Sequence, residues 1–316
     1  MRQRALIALA AVAGAAALGL TGCSSSGGAG GTSGSGSSAS GGSGSSGRID
    51  VVASTNVYGG LVSTIGGSHV HVTSILSDPS QDPHSFEASP RTQLAVSHAD
   101  LLIENGGGYD SYMETLRDST KSKADLIDVV KLSGLQKAGD DDFNEHVFYS
   151  YPTMVRFVSR VATELGQEQP AHKGSFRANA ARVTKQLQGL EAQTAALKQQ
   201  DAGDRVAYTE PVPGYLFDAI GLRNVTPQDF SEAIEEGDDV PPAALNDTLQ
   251  LFSGKDPVKL LAYNDQTSSP ETEQVKSAAR SNHVPVVGVT ETLPSGKGYI
   301  AWQQSNIDAV KKALAG

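Results

Sequence analysis

From residue 48 onward, short apolar runs alternate with stretches whose apolar residues recur at threes and fours. The first pattern is that of buried strands, the second that of amphipathic helices. Together they predict strands over 50–53, 69–76, 101–104 and 126–130, with helices over 57–65, 91–97 and 109–117 between them. Past residue 200 the same order returns, with strands over 206–209, 259–263 and 284–289 and helices over 215–220, 243–252, 270–281 and 300–315. Such alternation builds parallel sheets covered by helices. The expected fold class is therefore α/β in two lobes, each a mainly parallel sheet flanked by helices.

Between the two sets, Phe176, Val183, Leu187, Leu190 and Leu197 repeat at sevens, threes and fours. They form one apolar stripe on a single helix over 171–200, about 45 Å long at 1.5 Å per residue. A coiled-coil dimer seam would need more heptads and fewer polar interruptions. The helix is expected to join the lobes as a strut within a monomer. The domain organisation expected is a first lobe over 48–170, the connecting helix over 171–200 and a second lobe over 201–316.

The N-terminal end breaks this pattern. Arg2 and Arg4 precede an apolar stretch over 5–19, too short to span a bilayer comfortably, and Leu20-Thr21-Gly22-Cys23 follows. This end looks like a bacterial lipoprotein signal over 1–22, cut before a lipid-bearing Cys23; the rival is an uncleaved membrane anchor. Cys23 is the only cysteine, so there is no disulfide framework and no thiolate remains for a metal. Residues 24–47 are almost entirely Gly, Ser, Ala and Thr, which cannot bury enough apolar surface to offset ordering entropy. As a flexible tether they would reach about 27 Å root-mean-square. The expected location is outside the cytoplasm, held to the membrane by lipid.

Charge narrows the partners. With 25 Lys and Arg against 35 Asp and Glu, the formal charge is −10, which argues against nucleic acid or anionic lipid as a binding surface. The acidic groups at Asp140-Asp141-Asp142 and at Glu235, Glu236, Asp238 and Asp239 read as solvated loop charges.

Four side chains of metal-ligand type, His84, His146, Glu210 and Asp265, come from four separate parts of the chain. Each sits just past a strand-like run or in the loop after one, where an open α/β sheet collects its ligand-binding groups. No short local motif holds them together, so only the tertiary fold can make them converge on one divalent cation. The most specific stretch is Gln81-Asp82-Pro83-His84-Ser85-Phe86-Glu87, with Pro90 opening the next helix. Pro83 stiffens the loop and pushes Asp82 toward extended geometry. Asp82 or Glu87 could take the second ring N–H of His84, as metal-bound histidines require. His69 and His71 share one face of an expected strand and read as exposed there. His98, His172 and His283 are isolated, and Trp302 reads as helix packing.

Asp82-Pro83-His84 with Glu87 and Pro90 resembles the first metal-ligand loop of the zinc- and manganese-binding receptors of ABC importers. Ala99-Asp100-Leu101-Leu102-Ile103 with Asn105-Gly106 is similar to the strand and turn that follow that loop in the family, and the resemblance extends more weakly over nearly all of 48–316. It implies His146 in Glu145-His146-Val147-Phe148 as the second ligand, although the Asp-Pro flanks common in the family are absent here. It implies Glu210 in Thr209-Glu210-Pro211 as the third and Asp265 in Tyr263-Asn264-Asp265 as the fourth. Glutamate at the third place resembles the manganese branch, whereas zinc-specialised relatives have histidine. Two imidazoles and two carboxylates suit either ion, with intrinsic affinity favouring zinc over manganese.

The resemblance implies a receptor that takes up one Mn2+ or Zn2+ as its transported ligand. It would then hand the ion to an ABC permease with its cytoplasmic ATPase, catalysing no reaction. Two other classes remain open at this point. A hydrolytic metal site would keep an open coordination position for water, and no hydrolase signature is present. A surface adhesin or structural lipoprotein would use the metal as a staple.

Overall fold

The computed structural model of the chain describes residues 47–78, 81, 86, 88–139 and 143–316. The described residues fall in one compact unit.

The first lobe runs β1 (Ile49–Thr55), α1 (Asn56–Gly66), β2 (Val70–Leu76), α2 (Pro90–His98), β3 (Leu101–Glu104), α3 (Ser111–Thr120), β4 (Asp125–Asp128) and α4 (Val129–Ser133), and ends in α5 (Tyr151–Glu168). Then comes α6 (Lys173–Asp201). The second lobe runs β5 (Arg205–Tyr208), α7 (Gly214–Ile220), β6 (Arg223–Asn224), α8 (Gln228–Glu235), α9 (Pro242–Gln250), β7 (Leu261–Asn264), α10 (Pro270–Ser281), β8 (Val286–Val289) and α11 (Tyr299–Leu314).

The two sheets have the orders β2-β1-β3-β4 and β6-β5-β7-β8, and every recorded pairing is parallel. Chain order thus reverses in the same place in each lobe, at β1/β3 and at β5/β7. Crossover connections leave a crevice at the carboxyl ends of such strands. Helices on both faces require strands apolar on both faces, and β3 and β7 are buried at every position. The α/β, two-sheet expectation holds.

In α6, Phe176, Val183, Leu187, Leu190 and Leu197 are all buried, as the stripe predicts. The main core is continuous through this helix. It includes Val51 and Ile103 of the first sheet, Leu187 and Leu190 of α6, Val206 and Val287 of the second sheet, and Trp302 of α11. Smaller clusters back the outer faces, around Val52 and Leu102 in one lobe and Phe230 and Phe252 in the other. Helix α6 packs on α1, α5, α7 and α11, so elements of both lobes grip the strut.

Three local differences from the pattern have physical causes. The strand expected over 126–130 stops at Asp128, whose carboxylate accepts the Lys131 N–H at 2.8 Å and caps α4. His69 lies in a single 3-10 turn, Gly67–His69, instead of on β2; its ring stacks on His172 at 3.7 Å and no longer shares a strand face with His71. The segment before α6 holds α5, whose Met154, Phe157, Val158, Val161 and Leu165 are buried at helical spacing.

Candidate metal centre

Three neighbouring strands of the second sheet end at one place. Past β5 comes Thr209-Glu210-Pro211, β7 ends on Asn264, and Thr290-Glu291-Thr292 follows β8. The Asn264 carboxamide sits between the two glutamates: its Nδ2 donates to Glu210 Oε2 at 2.8 Å and to Glu291 Oε1 at 2.8 Å. Its backbone N–H donates to Thr209 Oγ1 at 3.0 Å. Thr267 Oγ1 adds a hydrogen bond to Glu210 Oε2 at 3.3 Å, while Gln266 Oε1 accepts the Glu291 N–H at 2.5 Å. Glu210 Oε1 is buried with no hydrogen-bond partner among the described residues.

The first lobe contributes His146 from the turn before α5. Its ring is fully buried, edge-on to Tyr109 and Phe148. Nε2 lies 3.5 Å from Glu291 Oε2, whereas Nδ1 lies 2.9 Å from Asn144 Oδ1 and 3.6 Å from Glu235 Oε1. A cavity of about 620 Å³, lined in part by Asn144, Glu145, Tyr208, Glu232 and Glu235, opens on that Nδ1 side.

Buried carboxylates outnumber the cation they face, and the protonation equilibria record it. Burial pushes the Glu210 carboxyl up to about 8, with the Glu291 charge adding and Asn264 and His146 opposing. Burial likewise raises Glu235 to about 8 against the pull of His146, while nearby carboxylates reinforce the shift. Burial alone would lower the His146 imidazole; the hydrogen bond to Glu291 and the charges of Glu235 and Glu291 outweigh it and raise it to about 9. A divalent cation is the charge that such a set lacks. Among the described residues no three His, Cys, Asp or Glu side chains are disposed to hold a metal by themselves, with the Asn264 amide standing between Glu210 and Glu291.

Of the side chains singled out in the sequence, His84 and Cys23 lie outside the described residues, as do the signal over 1–22 and the tether up to residue 46. His146 and Glu210 come to one cluster through Glu291 and Asn264. Asp265 does not join it: the residue is exposed, and its carboxylate lies so close to Gly288 of β8 that a Cβ there would collide with it. Consecutive residues at a strand end face opposite ways, so Asn264 turning inward turns Asp265 outward. Glu291 supplies the inward carboxylate instead. It follows the strand expected over 284–289, so the strand-end rule points to it as readily as to Asp265. Glu235 also corrects an expectation, since its side chain is only 9% exposed and faces His146, while Glu236, Asp238 and Asp239 are exposed. Asp140, Asp141 and Asp142 lie outside the described residues.

Two parallel-sheet lobes on one strut, with acidic and imidazole groups gathered where strand ends of one lobe meet a loop of the other, define the two-lobed class of solute-binding proteins. Comparison with known proteins agrees. The chain belongs to the ZnuA family, the periplasmic component A of zinc-uptake complexes, which it matches over residues 51–313. It is 29% identical over 148 residues to the manganese-binding lipoprotein MntA of Bacillus subtilis, covering 46% of this chain and 48% of that protein. The match thus spans about half the length of that relative. Similarity to the metal ABC transporter substrate-binding lipoprotein ScbA of Streptococcus cristatus is more extended, at 22% identity over 288 residues, 85% of this chain and 89% of that one. In fold the chain is similar to the periplasmic zinc-binding protein TroA of Treponema pallidum, with a TM-score of 0.71, 18% identity and coverage of 85% and 99%.

Proposed function

We propose that this protein is an extracytoplasmic receptor that captures Mn2+ or Zn2+ between its lobes and delivers it to the permease of an ABC importer. The carrying observation is the buried His146, Glu291 and Glu210 cluster, which joins a loop of one lobe to strand ends of the other. His146, Glu210 and Glu291 would be ligands, with His84 completing the set from the 79–87 segment. Nitrogen and carboxylate oxygen without thiolate suits both ions.

Membership in a family of uptake components, and relatives named as metal-binding lipoproteins, support the transport role over a hydrolase. They also support lipid on Cys23, from which the Gly/Ser-rich tether over 24–47 would lead to the folded part. No helix among the described residues is long and apolar enough to cross a membrane.

Chelator-stripped protein titrated with Mn2+ and Zn2+ in competition with an indicator dye tests the reading. The expected result is one ion per chain, bound tightly by protein that stays folded when stripped. Absence of uptake overturns the receptor reading, and cooperative unfolding on stripping would identify the metal as a structural staple.

A further inference from the structure

Asn144 makes four hydrogen bonds, two to His146 in its own loop and two that reach the second lobe. Its Oδ1 accepts the backbone N–H of His146 at 3.0 Å and faces the ring Nδ1 at 2.9 Å. Its Nδ2 donates to the carbonyl of Pro211, the residue after Glu210, at 2.9 Å. Its own carbonyl accepts from Tyr215 Oη at 2.7 Å, in the first turn of α7. The first residue of α7, Gly214, leaves room for the amide: a Cβ there would come within 2.5 Å of Nδ2.

These partners decide which way the amide faces. A carbonyl can only accept and a backbone N–H can only donate, so the NH2 group must face Pro211 and Oδ1 must face His146. Oδ1 offers lone pairs, so the ring nitrogen opposite it carries hydrogen. Nε2, on the Glu291 side, is then the nitrogen that presents a lone pair to a cation once its own proton is displaced.

We propose that Asn144 is a positioning residue for metal capture: it sets the His146 ring and ties it to the Glu210 loop of the second lobe, so that lobe separation and loosening of the ligand set are one event. This rests on the receptor reading above. Withdrawal of the Pro211 carbonyl releases the amide from the Glu210 loop, so that Asn144 and the His146 ring it sets can move away from the second-lobe carboxylates. A permease that parts the lobes would thereby release the ion without touching it.

Two variants separate the parts of the proposal. Asn144→Leu removes both functions; it is expected to weaken Zn2+ binding by about 10- to 100-fold, the usual range for loss of a group that orients a metal-bound histidine. In the zinc-loaded parent, 15N NMR should show His146 protonated at Nδ1 and metal-bound at Nε2, a pattern Asn144→Leu disturbs. Asn144→Asp keeps an oxygen toward the ring but cannot donate to Pro211. It should keep that 15N pattern while zinc passes to a chelator about tenfold faster in stopped flow. Affinity within twofold of the parent in Asn144→Leu, with an unchanged 15N pattern, overturns the positioning role; a parental dissociation rate in Asn144→Asp overturns the tie.

Hydrogen exchange on the metal-free protein reads the tie independently of metal. Loss of the amide should speed exchange in both 146–149 and 214–217, and unchanged exchange in either segment counts against it. If Asn144→Leu does not fold, Asn144→Asp carries the decision by its dissociation rate and exchange pattern. A parent that takes up no Zn2+ defeats the receptor reading alone.

Discussion

Asn264 and Asp265 are adjacent in the chain, yet the amide reaches the buried cluster and the carboxylate lies on the surface against Gly288. The difference is one residue of strand phase. Substituting Glu291→Gln or Glu210→Gln removes a buried anionic oxygen donor and is expected to lower Mn2+ and Zn2+ affinity by at least about tenfold, whereas Asp265→Asn should stay within about twofold. Chelator competition on the three variants decides this. A large loss confined to Asp265→Asn would restore it as the fourth ligand and remove Glu291.

At the scale of elements, the end of β3 carries charge that the sheet buries. Burial raises the Glu104 carboxyl to about 7, with Asp110 adding and Arg117, 3.3 Å away, opposing. Asp110 rises to about 6 through burial, although it accepts the N–H groups of Asn105 at 2.6 Å and Gly106 at 2.9 Å. A carboxyl with a higher pKa in the folded chain holds its proton more tightly there. Its stabilisation is full below the unfolded pKa and is lost as pH rises through the folded one. The metal-free protein should therefore lose stability between about pH 4 and pH 7 from these two groups. Glu104→Gln should flatten that slope and add on the order of 1–2 kcal/mol at pH 8. Urea unfolding of both proteins at pH 5 and pH 8 measures it, and an unchanged slope in Glu104→Gln would sink the explanation.

For the whole molecule, the core that runs from the first sheet through α6 into the second makes independent lobe folding unfavourable. Opening the lobes widely would expose Leu187 and Leu190 or their partners, so motion during uptake is expected to be a small shift on the strut. Far-UV and near-UV circular dichroism should report one urea transition with a shared midpoint. Leu187→Ala should lower stability by about 2–5 kcal/mol without splitting it. Two separated transitions would show the lobes to be independent bodies.

Most of the strand and helix order, the buried stripe of α6 and the rule that ligand groups gather past strand ends were legible in the chain, whereas α4, α5, β6 and α8 were not among the expected elements. Burial at a period of two or 3.6 is a local property that each segment carries alone. The amphipathic spacing of α5 was also present there, but the two-residue β6 was too short to leave a pattern. Which side chain at each strand end faces inward was settled by packing, because a shift of one residue exchanges the two faces at no cost to composition. It alone buried Glu235 while leaving Glu236 in solvent, since the packing of α8 sets that boundary. It alone brought Asn144 to Pro211, a contact whose partners share no local signal and meet only where the two lobes close on each other.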